Sequence, residues 1–69
     1  MSFDNETFRK AARNAGIEGK DHKGNTALDD FSTYYHATWK KEEREEDGYD
    51  GILGKATDWW STNGKKYSK

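Results

Sequence analysis

Cysteine and valine are absent from this 69-residue chain, and isoleucine and leucine together number only four. Without cysteine there is no disulfide and no cysteine-ligated zinc, two staples that small domains commonly use. Their absence also fits a reducing compartment. The lack of valine, with few other β-branched apolar residues, argues against a sheet. No stretch approaches the roughly 20 apolar residues of a membrane span. The first six residues, Met1 to Glu6, lack the basic and apolar regions of a secretory signal. The chain is therefore expected to be complete, cytoplasmic and without a membrane partner. Its formal net charge of −1 supplies neither a basic field for nucleic acid nor the acidic excess of a DNA mimic.

What the chain does have is aromatic. Charged residues make up 36% of it and hydrophobic residues only 30%, a balance that leans toward disorder. Ten Phe, Trp and Tyr side chains pull the other way, because each buries about 150–250 Å². One domain of this length is marginal, since it buries only about 60% of the surface its unfolded chain exposes.

Capping chemistry and apolar spacing predict an all-α domain of three helices, near residues 5–15, 27–46 and 52–62, the second being long. Asp4 is placed to cap the first helix, with Phe3 and Phe8 forming a hydrophobic staple across it. Gly16 suits the left-handed position that ends it, and Ile17 the apolar position beyond. Residues 18–25 are polar and glycine-bearing and read as a loop. Thr26 and Asp29 match a capping box, and Leu28, Phe31, Tyr35 and Trp39 then form one apolar stripe. Glu42 and Glu46 continue that face as charges. Glu45, Glu46 and Asp47 oppose the helix dipole, and Glu42/Glu46 and Glu43/Asp47 are like-charge i,i+4 pairs. Asp50 is the expected cap of the third helix, which carries Ile52, Leu53, Ala56, Trp59 and Trp60 on one arc. The expected core is Phe8, Leu28, Phe31, Tyr35, Trp39, Ile52 and Trp59. Residues 1–64 form the domain and 65–69 a short basic tail.

No catalytic or metal chemistry emerges. His22 and His36 lack a converging third ligand. The run from Asp21 to Asp30 fails the calcium-loop spacing, with Lys23 on a ligand position and no acid at the closing one. The carboxylates lie on a charge-dense helix with nothing to desolvate them. No nucleophile motif or phosphate loop is present, so neither an enzyme nor a cofactor is expected.

Two features remain. Trp59 and Trp60 are adjacent, about 100° apart on a helix, so Trp60 sits nearer the edge of the apolar arc and is a candidate anchor for a partner. The acidic stretch Glu42, Glu43, Glu46 and Asp47, with Tyr49 in the turn that follows, is a candidate docking corner for a larger protein with a basic patch. A short cysteine-free chain with so uneven a charge pattern resembles the small accessory and host-takeover proteins of bacteriophages. That resemblance implies a binder or inhibitor. The alternatives are a nucleic-acid-binding protein, using Lys65, Lys66 and Lys69 with Tyr67 as a stacking ring, and a self-associating subunit of an assembly.

Overall fold

The computed structural model describes residues 4–67. Four α-helices, α1 (Asn5–Asn14), α2 (Ala27–Thr38), α3 (Lys41–Glu46) and α4 (Tyr49–Asn63), are followed by a short 3₁₀ turn, Gly64–Lys66. The chain is all-α. Among the described residues the only β-type pairing is one isolated bridge, Lys20 to Thr26.

Helix α1 starts and stops where local chemistry dictates. The Asp4 carboxylate accepts from the Glu6 N–H and from the Thr7 hydroxyl at 2.8 Å. The Thr7 bond, with help from Glu6, holds this carboxyl below its ordinary range. Phe3, the expected staple partner of Phe8, lies outside the described residues. At the other end Gly16 has φ +101°, its N–H bonds to the Arg13 carbonyl, and the Ile17 N–H reaches back to Ala12. This is a Schellman stop, and it drives Ile17 into the core at 2% exposure. The polar loop closes on itself: Asp21 accepts from the Lys23 and Asn25 N–H groups, both at 2.9 Å, and Gly24 takes φ +89°. The Thr26 hydroxyl then caps α2 through the Asp29 N–H.

The expected long second helix is two helices. It breaks at Trp39 and Lys40, both extended, with φ/ψ of −112°/140° and −74°/164°. The break leaves the expected dipole conflict of Glu45, Glu46 and Asp47 at the C-terminal end of α3. Glu42 and Glu43 now occupy the first turn of α3, where the dipole favours them. The third expected helix begins earlier than residue 52, at Tyr49, with Gly48 as its N-cap. Asp50 is therefore not the cap; it sits inside the first turn.

The core is an aromatic stack. Phe8 lies on Phe31 with centroids 5.3 Å apart and planes 7° apart, and Tyr35 and Trp59 close around them. Helix α1 packs chiefly against α4, with Ala11 and Ala12 buried on one and Ala56 on the other. Small side chains permit that approach. Leu28 and Trp39, both expected in the core, are only partly buried at its edge. Trp39 is the C-cap of α2 rather than a residue of its stripe, which runs through Ala27, Phe31 and Tyr35. Tyr67, expected in the basic tail, is 3% exposed and belongs to the core. The 3₁₀ turn carries it back onto Trp59 and Trp60.

Candidate functional site

The acidic residues of the expected docking corner divide by what they touch. Glu43 accepts from the Lys40 N–H at 2.9 Å and so caps its own helix. Asp47 is a structural node. It accepts from the Tyr35 hydroxyl at 2.8 Å and pairs with Lys55, whose ammonium lies 4.5 Å from the Trp39 ring centre. A Cβ on Gly51 would come within 2.9 Å of the same carboxylate, so glycine leaves room for it. Burial, reinforced by the bond to Asp47, pushes the Tyr35 hydroxyl well above the ordinary phenol range. Glu45 meets Lys41 at 3.9 Å, a surface contact of little worth. Glu42 and Glu46 remain exposed, one turn apart, and among the described residues their carboxylates have no hydrogen bond or ion pair.

Tyr49 is half-buried rather than free at a tip, and its hydroxyl accepts from the Asn14 amide of α1. Trp60 stands eleven residues further along α4, roughly 16 Å from Tyr49 along the axis, so it is not part of the corner. It is half-buried. A Cβ at Gly16 would meet it at 3.1 Å and one at Gly64 at 3.0 Å, and it stacks on Tyr67 with centroids 5.8 Å apart. The side chain that singled itself out as an anchor thus fills a slot between two glycines.

The C-terminal segment is also engaged. The Tyr67 hydroxyl donates to Asp30 at 2.5 Å, and burial together with this bond raises its pKa far above the phenol norm. With its ring packed on Trp59 and Trp60, Tyr67 offers no free face to a base. Lys65 and Lys66 are exposed, and the Lys66 ammonium lies 5.5 Å from the Tyr67 ring centre. Lys69 lies outside the described residues.

Three residues escaped the sequence reading: Lys55, Arg44 and Asp30. Lys55 sits three residues after Ile52 and four before Trp59, so its position on the helix wheel already pointed it inward. Arg44 donates to the carbonyls of His36, at 3.3 Å, and Trp39, and thereby caps α2 from the next helix. Nothing local marks that role, nor the Asp30 bond across 37 residues.

His36 bonds the Ser32 carbonyl through Nδ1 at 2.7 Å. Among the described residues no group of three or more His, Asp or Glu side chains converges as a metal site would require, and no helix is long and apolar enough to cross a membrane. No protein-family model matches the chain, and comparison with curated proteins and with solved structures finds no match either.

Proposed function

We propose that this chain is a small, non-enzymatic, cytoplasmic interaction module that docks on a basic surface of a larger protein through the face of α3, as an accessory or inhibitory subunit. The observation that supports it is the pairing of Glu42 and Glu46: two like charges one turn apart, unpartnered among the described residues, on a helix that buries no residue. Folding gains nothing from that pair, which costs a few tenths of a kcal/mol. Residues 40–51 hold six carboxylates against three cations, a balance of −3 inside a chain whose total is −1. Such a local field steers encounter with an oppositely charged patch and weakens as salt rises. Glu43, Asp47, Tyr49 and Trp60 belong to the fold first, so the contact itself narrows to Glu42 and Glu46.

The test is affinity capture from native lysate with the parent chain and with Glu42→Lys/Glu46→Lys, at low and high salt, after circular dichroism has shown equal folding. A protein captured by the parent at low salt should be lost from the variant and released by salt. Equal capture by both chains would refute docking through α3. Capture of nucleic acid instead, or of the chain's own copies, would move the reading to one of its two alternatives.

A further inference from the structure

The break between α2 and α3 falls where the sequence gives no reason for it. Trp39 and Lys40 are neither glycine nor proline, and residues 41–46 are strong helix formers. Sharp interruptions ordinarily occur at Pro, Gly or an inserted group. Here three side chains hold the bend. Glu43 takes the Lys40 N–H that a continuous helix would donate to His36. Arg44 occupies the carbonyls of His36 and Trp39, which the N–H groups of Lys40 and Glu43 would otherwise reach. Asp47 bonds the Tyr35 hydroxyl, and in a continuous helix these residues would stand about 18 Å apart along the axis, far out of reach.

Straightening therefore exchanges a defined set of bonds. It forfeits those three side-chain contacts and the Lys55 ion pair, and it gains up to four backbone bonds, from the N–H groups of residues 40–43 to the carbonyls of residues 36–39. Within residues 27–46 only Trp39 and Lys40 need change conformation, and the Asp47–Gly48 junction must turn with them for α4 to keep its place against α1. The Arg44 N–H to Lys40 carbonyl bond, at 2.9 Å, is common to both forms. Helix α3 has six residues and buries none, too few to stand on its own without such holds.

We propose that Trp39–Lys40 is a two-state hinge, latched bent by Glu43, Arg44 and Asp47, whose other state is one continuous helix over residues 27–46. The continuous form uncovers Trp39 and Lys55 and carries the acidic face away from the core. The hinge does not depend on docking through α3. If that docking holds, a cationic group that draws Glu43 or Asp47 away from its partner biases the same equilibrium.

The test has a diagnostic sign. Glu43→Ala/Arg44→Ala removes two of the three latches, and backbone Cα chemical shifts report each residue's conformation. The hinge predicts that Trp39 and Lys40 move toward helical shifts while residues 41–46 stay helical. The ratio of continuous to bent form should rise about tenfold or more, the size of one to two lost caps. Adding Lys40→Pro must abolish the change. Proline accepts the bent form's φ of −74° and the extended Trp39 before it, but it forbids a continuous helix. Loss of helical shifts over 41–46, or no movement at 39 and 40, overturns the proposal. Should the double variant not fold, the parent chain decides: molar salt, which weakens the ionic latches, must move the same two residues toward helical shifts, and no movement counts equally against it.

Discussion

Replacing Tyr67 by alanine should come close to unfolding the whole domain, although the residue is third from the end in the charged sequence Lys-Lys-Tyr-Ser-Lys. Its side chain is 3% exposed, stacks on both Trp59 and Trp60, and bonds Asp30. Truncating a buried aromatic to alanine costs about 3–5 kcal/mol. A domain this small sits near the lower end, about 5 kcal/mol, of ordinary stabilities. Tyr67→Phe separates the ring from the hydroxyl. Losing a bond to a charged acceptor costs about 1.5–3 kcal/mol. Asp30 is only partly buried and water can replace the donor, so the lower figure applies. At about 4–8 °C per kcal/mol for a chain of this size, the phenylalanine variant should melt roughly 6–12 °C below the parent. Thermal melts followed by far-ultraviolet circular dichroism measure both. If Tyr67→Ala melts within the few tenths of a kcal/mol of a surface substitution, the C-terminal turn is not part of the core.

Two further predictions rest on single features. The Tyr35 and Tyr67 hydroxyls are held above the ordinary phenol range in the folded chain, so above about pH 10 the unfolded chain binds fewer protons than the folded one. Stability is complete below that pH and falls as pH rises toward the folded values, by at most about 1.4 kcal/mol per unit for each tyrosine. Helix loss should then coincide with phenolate absorbance between about pH 10 and 12, and retention of full helix beyond that range would refute the pairings. Two glycines should respond oppositely to alanine: Gly16→Ala should lose about 1–2 kcal/mol, because it needs φ +101° and leaves room for Trp60. Gly54→Ala should gain about 0.5–1 kcal/mol, since it lies exposed in α4 and an added Cβ meets nothing within 4 Å. Chemical denaturation measures both, and equal signs would refute the account of Gly16.

The parts of this fold that the sequence made legible are those set by neighbours a few residues apart. Asp4 and Thr26 cap where their side chains can reach the next turn, and Gly16 with Ile17 ends α1 through bonds to Arg13 and Ala12. The break after Thr38 was not legible. Propensity over residues 39–46 favours helix, and what opposes it are contacts between groups that only the tertiary fold brings together. Tyr67 was hidden for a related reason: hydropathy averages it with four polar neighbours, and its partner Asp30 is remote in sequence. The docking corner was legible as charge but not as geometry. A helical wheel sets Glu42 and Glu46 on the continuation of the buried stripe, yet Glu43 and Asp47 are the ones that cap or latch the fold, and among the described residues Glu42 and Glu46 face solvent unpaired.

The two tyrosine–aspartate bonds also answer how so aromatic a core selects one arrangement. Hydrophobic burial is nondirectional, and large rings in a chain with four isoleucines and leucines could stack in several orders at similar cost. A phenol buries as much ring as phenylalanine does but ends in a donor that must find its acceptor. Tyr35 finds Asp47 at the junction of α3 and α4, and Tyr67 finds Asp30 near the start of α2. Helix α2 is thereby tied to the two segments most able to drift, the short α3 and the C-terminal turn. Any alternative stacking of the rings that moved either segment would leave a phenol or a carboxylate unpaired against the core. The burial holds the chain together; the two bonds decide which way it is held.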